Sequence, residues 1–502
     1  MSGYLQDRAL VAIDLGAESC RVSLLRWPNG TPEIYLVHRF PNAPLQENGG
    51  LRWNIRHLLT GLEDGLRECA KIASEGIAAI AVDGWAVDYV RLDAKGEHMA
   101  NPFCYRDERT VKAQKEVHER ISAARLYQLT GAQILTLNTL YQLRADGKEQ
   151  RTPWINLPEY VMYRLGGKRV SEFTNATHTE LLSVHDQAWS REIFAAAELD
   201  IDAAPPVVKT GTDIGQVTGS LAQLPAFRNT RLIAPACHDT ASAIAGIPAY
   251  GDNWAFISSG TWSLVGCVLD SPQTSEAARS KNFSNEGGVG GKTYFLKNVN
   301  GMWLLRECIE QWQAQGSPWN ITDLLDACNK LPEPEYLIDV DHPDLLLPGN
   351  MPARINAQLK SSGRPPIPEQ PSSAPVFAGL IFHSLAARYA AVLRDITQIT
   401  GKAFAQLYIV GGGSRNKFLN ELTAKASRLE VVVGPSECAT IGNFAIQLAS
   451  LAGKYNEGVG VESATVAEYA RLLADKRIEN TVSATSPIPP VAGQADSERL
   501  SG

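Results

Sequence analysis

Residues 233–242 read Ile-Ala-Pro-Ala-Cys-His-Asp-Thr-Ala-Ser, an apolar run that stops at an acid set among small and polar residues. The segment RLIAPA (231–236) is too short for a lone helix and reads as a strand. TASAIAGI (240–247) has the spacing and small residues of a helix packed close to a neighbour. An acid at a strand-to-helix junction lies at the mouth of a sheet, where α/β folds bind ligands. Aspartate also favours helix N-caps, so the junction alone does not separate a catalytic base from a cap. The motifs around it favour Asp239 as the base.

Outward from that junction, the chain opens with strands at 10–15 (LVAIDL), 21–27 and 33–40. A helix at 55–73 and a strand at 77–82, ending in DGWAVD, follow. Residues 112–129 predict one charge-rich helix, and 153–167 another, closed by Gly166 and Gly167. The Thr- and Asn-dense segment 171–182 predicts an ordered loop or edge outside the core. The second half repeats the opening figure: a strand at 254–258, a small-residue turn at 259–261 and a strand at 262–268, which suggests duplication. Helices at 303–313, 376–397, 416–428 and 440–451 alternate with strands at 407–410 and 430–433, an α/β pattern. The Pro- and Ser-rich stretch 361–375 reads as a surface loop. Two domains, 1–248 and 249–478, and a disordered tail from 479 to 502 are expected.

With 502 residues, 44% apolar and 20% charged, the chain has the composition of globular domains. Its formal charge of −7 argues against nucleic acid as partner. Acids and Arg8 interrupt the amino-terminal apolar runs, and no segment reads as a membrane span. Eight cysteines without a CxxC pair fit reduced thiols of the cytoplasm.

Residues 286–293 (EGGVGGKT) imitate a phosphate loop, but Glu286 replaces the first glycine and the following YFL reads as strand, so a glycine-rich hairpin is expected. Better cradles are the turns at 16–21 and 259–261. Their small residues let backbone N–H groups approach phosphate, Ser19, Ser259 and Thr261 add hydroxyls, and Arg21 adds charge. Either turn alone could simply join two strands. Asp14, at the end of the first strand, could hold magnesium directly or through water. Gly411-Gly412-Gly413, between strand and helix, offers close backbone approach to a ligand. Trp85, between Asp83 and Asp88, offers a ring face for the apolar edge of a ligand, and Arg106 could pair with Asp107.

VAIDLGAESCR, GWAVDYV, YRDERT, LNTLYQL, CHDTASA, ISSGTWSL, NEGG, KNVNGMWLL, IVGGGSRN and ATIGN occur in this order over roughly residues 10–450. Together they resemble the FGGY family of sugar kinases. The resemblance implies two ribonuclease-H-like domains of the actin and hexokinase type with the active site between them. It implies ATP-dependent phosphorylation of a ketose C1 hydroxyl, with L-rhamnulose as the leading substrate and L-fuculose, L-xylulose or D-xylulose as alternatives. It places Ala17, Glu18, Ser19, Cys20, Arg21, Thr261, Arg306 and Gly412 at ATP, and Ala86, His238, Asp239, Thr240 and Asn298 at the sugar. The chain departs from the family pattern at Glu18, Cys20, Ala86 and Arg306, where small residues, glycine, glycine and glutamine are usual. An actin- or chaperone-type ATPase switch is the reading from another class; GWAVD and YRDERT, on the sugar side, speak against it. A hydrolase using His238 and Asp239 lacks a placed nucleophile.

Overall fold

The computed structural model describes residues 8–147, 151–346, 349–474 and 478–480. The first lobe is built on strands β1 (Ala9–Leu15), β2 (Ser19–Arg26) and β3 (Glu33–Pro41), helix α1 (Ile55–Ile72) and strand β4 (Ile77–Gly84). Further on come β5 (Asp213–Gln216), β6 (Arg231–Ile233) and helix α2 (Asp239–Ala245). Every residue of β1 is buried, which is why it reads as a continuous apolar run rather than an alternating one. Helix α1 is capped by Asn54, which accepts from the His57 N–H, and buries Leu58, Leu62 and Leu66 on one face.

The second lobe contains β7 (Trp254–Ser259), β8 (Trp262–Leu269), β9 (Ser284–Gly287), β10 (Thr293–Asn300), α3 (Trp303–Ala314), α4 (Ala374–Thr400), β11 (Gln406–Val410), α5 (Lys417–Ser427), β12 (Glu430–Val433), α6 (Cys438–Leu451) and α7 (Ser463–Ala474). Strand β13 (Ile478–Asn480) ends the described chain. The first sheet has the order β5-β6-β4-β1-β2-β3-β13 and the second β9-β10-β8-β7-β11-β12. Within each, an antiparallel three-strand meander is continued by two parallel strands: β3-β2-β1-β4-β6 and β10-β8-β7-β11-β12. The repeated strand-turn-strand figure thus belongs to a repeated sheet topology.

Helices α2, α6 and α7 lie between the two sheets. Their apolar residues form one core with Leu10, Ala12 and Ile233 of the first sheet and Phe256, Tyr408 and Val410 of the second. Gly246, just past α2, and Gly442 of α6 meet backbone to backbone. A methyl group on Gly442 would stand 1.9 Å from the Ser242 carbonyl oxygen, and one on Gly246 would stand 2.1 Å from that of Cys438.

Several sequence expectations are corrected. The helix expected at 112–129 is two, Thr110–His118 and Ala123–Thr130, the second started by the Ser122 side chain accepting from the Arg125 N–H. Residues 153–167 begin as a strand, Trp154–Asn156, before the helix Leu157–Arg164. The segment 171–182 is core: Glu172, Thr174, Asn175 and Glu180 are fully buried, and the carboxylates of Glu159 and Glu172 take its N–H and hydroxyl groups. Much of its polarity is met by these internal bonds, so composition misreports its environment. Helix α4 is long and apolar enough to cross a membrane by length and composition, but most of it is buried in the second lobe. Of the expected tail, Glu479 and Asn480 lie in β13; residues 481–502 fall outside the described residues.

Candidate active site

The site grows from the register of three neighbouring strands. Asp14, near the end of β1, sits opposite Arg21 on β2 and beside Asp83 on parallel β4. Beyond β6, the loop to α2 joins the end of β4 by a bridge between Gly84 and His238, with the Gly84 N–H donating to the Cys237 carbonyl at 3.0 Å. Asp239 is therefore the first residue of α2, and His238 occupies the cap position. The aspartate is not the cap that its residue type suggested.

Carboxylates crowd this point. Burial pushes the Asp14 pKa up to about 6 although Arg21 opposes it, and Asp239 and Glu437 push it further. Asp83 is raised well above the usual carboxylate range by burial and by Asp14. Its Oδ2 accepts from Asn443 at 2.5 Å, while its buried Oδ1 has no partner. Asp239 is raised chiefly by desolvation, against hydrogen bonds from Thr240. Its side chain is 35% accessible, so it is walled by protein yet open to a ligand. Arg21 bridges Asp14 at 3.1 Å and Glu437 at 2.7 Å.

Two buried residues of the 171–182 segment hold the loop that leads into Asp239. Glu172 Oε2 accepts from the Cys237 N–H at 3.0 Å, and Thr174 Oγ1 accepts from the His238 N–H at 3.4 Å. Four donors (the indoles of Trp53 and Trp85, the Gln142 amide and the Tyr105 N–H) satisfy Asp88. Asp88 is structural, and Trp85 is buried against Trp53 rather than facing a ligand. Ala86 is partly accessible in an otherwise buried stretch. It precedes Val87, whose φ of 69° and the Asp88 N–H to Ala86 carbonyl bond mark a tight three-residue turn. Asp107 bonds the Leu51 and Arg109 N–H groups, and no Arg106–Asp107 pair forms.

On the nucleotide side, the first turn, residues 16–18, leads into Ser19, which accepts from Arg39, and Cys20, which is buried. Gly411, at φ 83°, sends the chain along the end of β7, where a methyl group on Gly413 would stand 2.1 Å from Ser259 Oγ. Gly412 has nothing within 4 Å of where a methyl would stand, and the buried Ser259 hydroxyl has no partner. The Thr261 carbonyl accepts from the N–H of Trp303, the first residue of α3. Arg306, a turn further along, reaches across to Glu18 at 3.1 Å. Two of the chain's departures from the family pattern thus pair with each other between the lobes. Asn298 on β10 bonds Gln133 of the first lobe at 3.1 Å. Thr240 donates to Asp239 at 3.2 Å.

Sequence reading missed Glu172, Glu286, His178, Glu437 and Asn443. Glu286 is in the hairpin rejected as a phosphate loop. It is buried 3.2 Å from His178 Nε2 and 3.8 Å from His238 Nδ1.

Two sheets of matching topology, close-packed helices between them, and acids and glycine turns at the sheet ends define a two-lobed phosphotransferase of the actin and hexokinase type. Residues 9–246 match the N-terminal domain, and residues 255–451 the C-terminal domain, of the FGGY family of carbohydrate kinases. The chain belongs to that family and is an ATP-dependent carbohydrate kinase. Its fold is similar to that of the ligand-bound xylulose kinase from Lactobacillus acidophilus (TM-score 0.74, 16% identity, 92% of this chain and 96% of that one covered). It is also similar to the gluconate kinase from the same organism (0.72, 16%, 92% and 96%) and to Plasmodium falciparum glycerol kinase with ADP (0.72, 13%, 94% and 94%).

Proposed function

We propose that the protein transfers the γ-phosphoryl group of ATP to the C1 hydroxyl of a ketose, L-rhamnulose first among candidates, with Asp239 as the general base. The motif string from VAIDLGAESCR to ATIGN resembles that of L-rhamnulose kinases most within the family. The observation that supports the mechanism is Asp239 itself: a reachable carboxylate of raised pKa, close enough to Arg21 to feel its charge. Residues 1–248 form the sugar lobe and 249–478 the nucleotide lobe.

Phosphoryl transfer has a loose transition state, so the protein chiefly positions reactants and balances charge. Asp239 accepts the proton of the attacking hydroxyl, a contribution of about 10²–10⁴ in rate for a positioned base. Burial makes it a stronger base than a solvated aspartate, while the amino end of α2 favours its ionised form. His238, Thr240, Ala86 and Asn298 contact the sugar. Ala17 to Arg21, Thr261, Arg306 and Gly412 contact ATP, with Gly412 leaving room for backbone approach. The residues fit magnesium: Asp14 and the unpartnered Oδ1 of Asp83 are hard oxygen donors, and a cation relieves their mutual repulsion. When bound, magnesium neutralises phosphate charge.

The test is turnover against L-rhamnulose, L-fuculose, L-xylulose and D-xylulose, repeated with Asp239→Asn. Ketose-dependent ADP release should fall about 10²–10⁴-fold in the variant while ketose binding persists. Near-normal turnover would remove Asp239 from its role. ATP consumption indifferent to every sugar would remove the ketose reading.

A further inference from the structure

Three buried side-chain atoms beside Asp239 lack hydrogen-bond partners: His178 Nε2, His238 Nδ1 and Glu286 Oε2. They come from the 171–182 segment, the catalytic loop and the glycine-rich hairpin, and they converge. His178 Nε2 is 3.2 Å and His238 Nδ1 3.8 Å from Glu286 Oε2, and one ligand atom from each residue lies within 4.8 Å of the others. The two imidazoles are 3.9 Å apart at 56°. His238 is 7% and Glu286 4% exposed, while His178 keeps some access.

Bare polar atoms in a protein interior are costly, and three gathered within 4.8 Å of one another call for a shared partner. A proton on His178 would satisfy that ring and Glu286 but leave His238 Nδ1 bare. A metal satisfies all three. Zinc bonds to imidazole nitrogen and carboxylate oxygen are about 2.0–2.2 Å, which puts tetrahedral ligands about 3.4 Å apart. The two measured separations fall on either side of that value. A neutral imidazole and an ionised carboxylate are the forms that bind such a metal.

We propose that His178, His238 and Glu286 form a binding site for a divalent transition metal of the zinc class, with a fourth position open. Two nitrogen donors select against magnesium, which takes oxygen ligands. The site reaches Asp239 through His238, whose Nε2 is 3.4 Å from Asp239 Oδ1. A metal on Nδ1 fixes the proton on Nε2, facing that carboxylate, in the carboxylate–histidine–metal arrangement common at such sites. The engaged Asp239 oxygen is then a poorer proton acceptor, and the bound metal inhibits. Only this consequence rests on the kinase reading; metal binding does not.

The experiment titrates chelator-treated full-length protein with Co(II) and then Zn(II), following visible absorption and heat. One equivalent of Co(II) should give the intense visible bands of a tetrahedral site, which Zn(II) abolishes. His178→Ala and Glu286→Gln should each weaken Zn(II) at least ten-fold with the circular dichroism spectrum kept. If Glu286→Gln does not fold, the more accessible His178→Ala decides. Absence of saturable one-to-one binding, or equal affinity in wild type and His178→Ala, overturns the site. In parallel, stoichiometric Zn(II) should slow ketose-dependent ADP release in excess magnesium. Binding with undiminished turnover would keep the site and overturn its coupling to Asp239. Metal-free protein inert to every ketose would strike the proposed substrate while the titration still decides the site.

Discussion

Substituting Gly442 by alanine tests whether the close contact of α2 and α6 positions Asp239, the proposed base. The added methyl would stand 1.9 Å from the Ser242 carbonyl oxygen, whereas carbon and oxygen in close contact sit about 3.3 Å apart. The shortfall of about 1.4 Å must come from parting α6 and α2, because both atoms belong to rigid helical backbone. Overpacking of this kind costs about 1–3 kcal/mol. Asp239 opens α2 three residues before Ser242, so the displacement is carried to the carboxylate. A misplacement of about 1 Å at a reacting group costs on the order of 10²-fold in rate. We expect kcat to fall about 100-fold and the melting temperature to drop by several degrees, measured by coupled ADP release and calorimetry. Gly246→Ala, 2.1 Å from the Cys438 oxygen, should behave alike. Wild-type kcat and melting temperature in Gly442→Ala would refute a rigid backbone contact. A lower melting temperature with unchanged kcat would refute its link to the site.

Glu172→Gln weakens the acceptor for the Cys237 N–H and the Thr174 and Thr210 hydroxyls; it should cost about 1–3 kcal/mol in denaturant unfolding and lower kcat, whereas an unchanged kcat would free the loop from this anchor. The ketose-dependent kcat/KM should fall as pH drops through the raised pKa of Asp239, and a rate flat down to pH 4 would exclude a titrating carboxylate. Burial raises Glu159 and Glu180 to about 8. Each binds its proton more tightly folded than unfolded, so its contribution to stability is complete below about pH 4.5 and disappears as pH rises to 8. Melting temperatures should fall across that window, and Glu180→Gln should flatten the decline. The Glu18–Arg306 pair is exposed, so Glu18→Ala should leave the melting temperature unmoved; a marked drop would show that the pair clamps the lobes.

What could be read from sequence was local. The β1-turn-β2 figure, its echo at β7 and β8, and the strand-to-helix break before Asp239 each lie within a few residues. Propensity and turn chemistry therefore exposed them. The helix expected at 112–129 divides because Ser122 caps a new helix inside it, a break that the continuous charge pattern masks. The remaining failures share a cause in long-range packing. Glu172 looks solvated beside Thr and Asn, yet its partners Thr210 and Cys237 arrive from elsewhere in the chain. From sequence Glu286 reads only as a poor phosphate ligand, and nothing near it announces His178 or His238. Trp85 looked like a sugar platform until Trp53 covered it.

Strand β13, which ends the described chain, runs parallel to β3 along the outer edge of the first sheet. On α6, Asn443 and Gln447 bond Asp83 and the Val11 carbonyl of that same sheet. The sheet begun by β1 therefore cannot complete its own architecture until residues 478–480 have been synthesised. Such sequence-distant closure slows folding and leaves an uncapped edge at β3 during translation. Removing 478–480 while sparing the residues of the candidate site should still yield aggregating protein, because a strand far along the chain seals the edge left by β3.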